Sequence, residues 1–334
     1  MTSKNPSVAV VILSWNDSKN TIECIQSVLK SSYQNYDIIV VDNNSDLDHY
    51  EKITQWCKKN KLKIQNNFNQ NSNNLIKKKC IKNIYILRIN KVAKIPFAKN
   101  LGVARGYNKG IKFALKKRYE FIVKLDCDFL ITNKFLYGMI KTFKENKNVA
   151  AVSPKVYYYL GRRTSIIWWK GVSFTRNYFR FQRTGKDNAR RVLDKGQFKG
   201  LNTSEGICGC CVMLKSKILR KTGALDEDFF FGPEDIEHSY RLKKYGKLLI
   251  NLDYFTYHKV SQSIYVSGMK SRTYFETIGW LLIIKKICSL SDRIIGYAYF
   301  LLRGFRHFVR LLYKKDKNQH IGFLLGLKDY FLKY

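Results

Sequence analysis

The chain has 334 residues, of which 45% are hydrophobic and 14% aromatic, enough to bury a substantial core in one large domain or two, and this excludes a disordered chain. Lysines and arginines number 61 against 25 acids, a formal charge of +36 that asks for an anionic ligand or surface. Lysine, asparagine and isoleucine are abundant throughout, as in chains written with AT-rich codons, so composition also accounts for part of the charge and names no partner.

Residues 8–13 form a continuous apolar run, too short and too poorly flanked by charge for a leader or a membrane span, and predict a buried strand. Residues 38–41 predict a second. Between them Ile22, Ile25, Val28 and Leu29 recur at helical spacing, with Asn20 before Thr21 and Glu23 as the start signal. Strands without polar alternation are covered on both faces, as in a parallel sheet with right-handed crossovers. Residues 58–82 are dominated by lysine and asparagine and read as an inserted surface loop. A strand over 84–89, a helix over 98–117 and a strand over 121–125 follow, and this alternation predicts an α/β sheet of the nucleotide-binding type.

Further on, residues 149–152 and 211–214 read as strands, 216–222 as a short helix closed by Gly223, and 234–245 as a longer helix closed by Gly246. After a strand at 248–252 and His258 the pattern is helical to the end. The division expected is an α/β domain over 1–263 and a helical, basic, amphipathic region over 264–334. Its uncharged stretches, 277–284 and 294–302, are too short to span a bilayer. Over 293–314, Ile294, Tyr297, Ala298, Leu301, Leu302, Phe305, Phe308, Val309 and Leu312 occupy much of a helix, and Arg303, Arg306 and Arg310 share one side. That is either an interfacial helix on anionic lipid or a helix packed on the main domain with its basic side in water. Eight cysteines without regular spacing fit a reducing compartment, and Cys208, Cys210 and Cys211 lack zinc-site spacing and read as small buried residues.

Three places carry candidate chemistry. Asp126 and Asp128 stand at the carboxyl end of the fourth strand, where open α/β sheets place ligands; such a pair suits a divalent cation bridging phosphates, though a solvated turn would also hold two acids. The segment FFFGPEDIEHSYRL at 229–242 opens a helix with Glu234 and Asp235 in its first turn. Capping explains one acid; an aromatic wall beside an ionised carboxylate also suits removal of a proton from a hydroxyl. His258 alone reads as a hydrogen-bonded structural residue more readily than as a ligand.

Together, VAVVILSWND at 8–17, IIVVDNNS at 38–45, NLGVARGYNKGI at 100–111, LDCD at 125–128 and GALDEDFFFGPEDIEHSYRLKKYG at 223–246, leading to His258, resemble the family 2 glycosyltransferases. These are inverting enzymes of the GT-A fold, and the likeness is strongest to rhamnosyl- and galactofuranosyltransferase-like members. It covers about residues 7–263, with the motifs in the family's order. The fold implied is a Rossmann-like, mostly parallel sheet flanked by helices, with a helical C-terminal extension.

By that resemblance Leu13, Ser14, Trp15 and Asp42 would cradle the base and ribose of a nucleotide-diphosphate sugar, and Asn100 and Asn108 would shape the donor pocket. Asp126 and Asp128, joined by His258, would hold Mn2+ or Mg2+ and the diphosphate. Asp235 would be the catalytic base, with Glu234 beside it orienting or binding the acceptor. Family members often carry arginine where Tyr107 stands, which leaves phosphate contacts there open. The implied acceptor is a lipid-linked or cell-surface glycan, met on the inner face of the cell membrane by a cytoplasmic, peripheral enzyme. Two other classes compete. A basic nucleic-acid-binding protein would use the charge and the 22 tyrosines and 21 phenylalanines, but the lysines are dispersed, no such motif is present, and no nucleic acid is expected. An inactive scaffold of the same fold would have no need of Asp126, Asp128, Asp235 and His258 together.

Overall fold

The structure is a computed structural model describing residues 5–66, 83–90, 96–173, 192–260, 262–313 and 317–334. Strand β1 (Val8–Ser14) leads through helix α1 (Ser18–Leu29) to β2 (Tyr36–Asp42), and α2 (Leu47–Lys59) to β3 (Lys63–Asn66). Then come β4 (Asn83–Arg88), α3 (Gly102–Lys116) and β5 (Phe121–Asp126). These strands form a parallel half-sheet in the order β3-β4-β2-β1-β5. The predicted crossover helix α1 begins earlier than Asn20: Asp17 caps it, its carboxylate accepting from the backbone N–H of Asn20 at 3.1 Å. Asp17 is itself a good capping residue and stands ahead of Asn20, so it takes the role.

The stretch 58–82 is not all loop. Lys58 and Lys59 close α2, and Lys63–Asn66 pair with β4 at the sheet edge, where Leu62 and Ile64 suffice to pack against the core; residues 67–82 lie outside those described. The second half of the sheet is mixed. After β6 (Phe129–Ile131), α4 (Phe135–Glu145), β7 (Val149–Tyr159), β8 (Arg163–Trp169) and β9 (Leu201–Ser204), β10 (Cys211–Lys215) enters antiparallel between β5 and β7. Helices α5 (Ser216–Thr222) and α6 (Glu234–Lys243) precede β11 (Lys247–His258), which runs parallel to β7 and antiparallel to β6 and β9.

Both sheet faces are covered, which is why the central strands show no polar alternation. Val8, Val10 and Ile12 face a core shared with Ile25, Val28, Ile53 and Met139, while Ala9 and Val11 face one shared with Ala104, Ile111, Leu219 and Leu242. The C-terminal region is α7 (Gln262–Ile287), bent at Gly268, then α8 (Leu290–Tyr313) and α9 (Asn318–Lys333). A third core joins it to the main fold: Phe229 packs with Tyr274, Phe275, Leu281, Phe300 and Phe323. The expected division after residue 263 therefore falls just inside α7, and α7 is buried against the segment that carries Glu234 and Asp235. No helix among the described residues is long and apolar enough to cross a membrane. The seven described cysteines are free; of the cluster, Cys208 and Cys211 are buried and Cys210 half-buried.

Candidate active site

Strand β5 carries one charge inside its apolar run, Lys124, which is buried. Its ammonium lies 4.4 Å from the ring centroid of Tyr107 on α3, and two residues on, the Tyr107 hydroxyl donates to Oδ1 of Asp126. Nζ of Lys124 is also 3.6 Å from Oε1 of Glu234, and Glu234 is buried at the start of α6 with no hydrogen-bond partner for Oε2. Burial alone would lower the Lys124 pKa, but Glu234, Asp126 and Asp235 carry it above the ordinary value. Burial also raises the Asp126 carboxyl, and Asp128 adds to this while Lys124 and Tyr107 oppose it. The end of β5 and the start of α6, far apart in sequence, thus place their acids around one buried cation.

The segment before α6 is held from two sides. Val103 N–H donates to the Phe230 carbonyl at 2.6 Å, and the Phe230 ring stacks on Phe275 of α7 at 3.9 Å. A side chain at Gly279 of α7 would meet the Gly232 carbonyl at 2.2 Å, so this close approach requires glycine. Asp235 stays half-exposed, with Oδ1 accepting from the Ile236 N–H at 2.9 Å. Its other face lies on Gly209, where a Cβ would come within 2.6 Å of Oδ2. The same turn supplies the Cys210 carbonyl to the Asp126 N–H at 2.9 Å, so residues 209 and 210 touch both the Asp235 side chain and the backbone of Asp126.

Asp128 meets His258 because β6 pairs with the end of β11, Phe129 opposite His258. Asp128 Oδ2 is 3.1 Å from Nε2 of His258, whose ring stacks on Phe129 at 4.3 Å and meets the edge of Trp168 at 4.2 Å; Nδ1 is buried without a hydrogen-bond partner. Among the described residues, no three histidine, cysteine or acidic side chains gather as a metal-ligand set. Of the three expected ligands the structure joins two, Asp128 and His258, while the Asp126 carboxylate accepts from Tyr107. An acid–imidazole pair with an unpartnered ring nitrogen fits Mg2+ or Mn2+, which take few protein ligands and complete their shell with substrate phosphates and water.

Of the residues expected to hold a donor, Leu13 is level with Asp126 and Ser14 with Asp42 across the parallel ladders, so these four stand at neighbouring strand ends, and half-exposed Trp15 follows. The Ser14 hydroxyl pairs with that of Thr21 at 2.7 Å. Burial raises the Asp42 pKa, against Ser45 and the Arg88 guanidinium, whose Nε is 3.6 Å away. Asn100 is buried and accepts from the Gly102 N–H at 2.7 Å. Asn108 stands apart from these: its amide donates to the Leu225 carbonyl at 2.8 Å and to Glu227 at 3.0 Å, and accepts from the Leu225 N–H at 2.9 Å. It ties α3 to the chain entering the Phe229–Phe231 segment.

Sequence reasoning missed Lys124 and Gly209. The signal for the first was a lysine inside an otherwise apolar strand; for the second, a glycine flanked by small residues, there was none. Tyr107 was visible as a departure, but not as a donor to Asp126.

Comparison with known proteins gives the family and the fold. Residues 9–223 match Glycosyl transferase family 2, more than half of the chain, and the protein belongs to that family. It is similar to the dTDP-rhamnosyl transferase RfbF of Shigella flexneri, 21% identical over 245 residues that cover 73% of this chain and 66% of that one. The chain thus spans just under two thirds of that relative. Its fold is that of the GT-A glycosyltransferases. The mannosyltransferase PcManGT from Pyrobaculum calidifontis, in complex with GDP-Man and Mn2+, superposes with a TM-score of 0.54 at 13% identity, over 98% of this chain and 88% of that one. GalNAc-T7 with UDP, GalNAc and Mn2+ gives 0.56 at 16% identity, over 82% and 48%.

Proposed function

We propose that this glycosyltransferase moves a sugar from a nucleotide-diphosphate donor to a hydroxyl of a glycan or lipid-linked glycan, with inversion, using Asp235 as general base. The observation that carries this is the position of Lys124, buried among Asp126, Glu234 and Asp235 at the carboxyl edge of the sheet. Leu13, Ser14, Trp15 and Asp42 hold the base and ribose, and Asn100 shapes the pocket beside them. Asn108 acts through the loop it anchors, and Glu234 orients the acceptor.

Asp235 removes the proton from the acceptor hydroxyl as that oxygen bonds to the anomeric carbon, and the bond from that carbon to the diphosphate breaks on the opposite face. Asp128 and His258 would hold a divalent metal, which when bound offsets charge on the departing diphosphate. Asp126 faces the same phosphates. Activated sugars of this kind and the free cysteines fit a cytoplasmic setting.

The experiment is a donor panel with Mn2+, read by thermal shift and transfer, beginning with dTDP-rhamnose because of the similarity to RfbF. With the donor found, Asp235→Asn abolishes transfer and keeps donor binding. Equal activity of Asp235→Asn and the parent removes the assigned base.

A further inference from the structure

Helix α8 presents its apolar side outward. The buried residues Gly296, Phe300, Gly304 and His307 form one narrow stripe, and that stripe is what packs against α9. A Cβ at Gly304 would lie 2.9 Å from Leu327, Phe300 stacks on Phe323 at 6.0 Å, and His307 stacks on the same ring at 4.2 Å. At 100° per residue, Ile294, Leu301, Leu302, Phe305, Phe308 and Leu312 fall on the opposite side. Each of these six is 55–75% exposed. Arg303, Arg306 and Arg310 run along one flank of that ridge, and the sole acid of α8, Asp292, sits in its first turn.

Helix α8 therefore packs on the fold through the narrow stripe of Gly296, Phe300, Gly304 and His307, while its row of large apolar residues faces out. A contiguous apolar ridge of this kind marks an interaction surface.

We infer that the outer face of α8 docks on an anionic lipid bilayer, with the helix lying in the plane of the interface. Three features choose the bilayer. The ridge runs along a 24-residue helix, presenting an apolar line with a cationic flank, the pattern of interfacial helices. The flank complements phosphate headgroups, whereas in a symmetric pair of chains the same patch faces itself and brings its arginines together. The chain carries +36 overall, so its long-range field also favours an anionic plane. Docking through α8 would hold the active site at a set height, because α9 packs α8 onto α7, and α7 packs on Phe230 and Gly232.

The test uses the full chain and reads vesicle binding, so it stands whether or not the sugar-transfer reading holds. The parent is expected to float with phosphatidylglycerol-containing vesicles and far less with phosphatidylcholine alone. Leu302→Ser, Phe305→Ser and Phe308→Ser together are expected to weaken binding by about a hundredfold, and Arg303→Gln, Arg306→Gln and Arg310→Gln by roughly tenfold or more, with loss of the salt dependence. The substituted ridge side chains are exposed, Arg303 also lies over the Phe323 ring at 5.3 Å, and unchanged melting without lipid verifies the fold of both variants. Failure of the parent to float with phosphatidylglycerol vesicles overturns the inference, as does equal flotation of the serine variant. A lipid-free dimer that the serine variant splits, with no vesicle binding by the parent, assigns the ridge to a second copy instead.

Discussion

The ammonium of Lys124 and the carboxylate of Glu234 face one another at 3.6 Å, both buried, one in the middle of a sheet strand and the other at the start of a helix far along the chain. An unpaired charge in either place would be costly, so each residue accounts for the other. Because Asp126 and Asp235 act on the same lysine, the pair also couples the two ends of the proposed reaction site.

Lys124→Met leaves Glu234 charged without its partner. Stability is expected to drop by about 3 kcal/mol, measured by chemical denaturation. Adding Glu234→Gln should restore most of it, since neither charge is then buried. Transfer should stay at least roughly tenfold below the parent in the double variant, because Asp126 and Asp235 still lack their cation. Full recovery of activity would reduce Lys124 to a structural role.

Gly209→Ala places a methyl group against Asp235. The carboxylate must shift, and misplacement of a base costs rate more than affinity: kcat is expected to decline between about tenfold and a hundredfold, with donor Kd changed less than about twofold. Parallel losses in both would mean that the turn at 208–210 serves the donor instead.

Asp128→Ala and His258→Ala should each weaken Mn2+-dependent donor binding by about tenfold to a hundredfold, and a chelator should bring the parent to the same level. Tyr107→Phe, which removes only the hydroxyl donated to Asp126, should leave metal affinity within about threefold if the ion rests on the Asp128–His258 pair. Calorimetric titration of Mn2+ with a nucleoside diphosphate present distinguishes the two sites.

A pH effect is expected at the join between α8 and α9, where Nδ1 of His307 lies 2.9 Å from Nδ1 of His320. Burial, then His320 and Arg303, Arg310 and Arg306, bring the His307 pKa down from 6.5 to about 4. Between those values the unfolded chain binds the proton and the folded one does not, so stability falls as pH falls through this window and is regained above it. The span corresponds to roughly 2–3 kcal/mol. Melting temperatures at pH 7 and pH 5 should differ less in His307→Gln than in the parent.

The central strands and the acids at their ends were legible in the amino-acid order because both have local causes. A strand covered on two faces is apolar along its inner length, as residues 8–13 of β1, 38–41 of β2 and 84–87 of β4 are and as β5 is apart from Lys124, and carboxylates just after such a strand or in a first helical turn stand out against it. Edge strands such as β3 and β9 have one open side, so Lys63–Asn66 and Leu201–Ser204 carry too few apolar residues to be seen.

What the order of residues could not determine was which of these groups meet. Lys124 is paired because β5 runs under α3 and α6, and Asp128 reaches His258 only through the β6–β11 ladder. The apolar and basic sides of α8 were both visible in one dimension, but the glycines that let it approach α9 decide that the apolar side faces out. Local patterns are set by the periodicity and burial of neighbouring residues; pairings across a hundred residues are set by packing, which exists only once the chain has closed on itself.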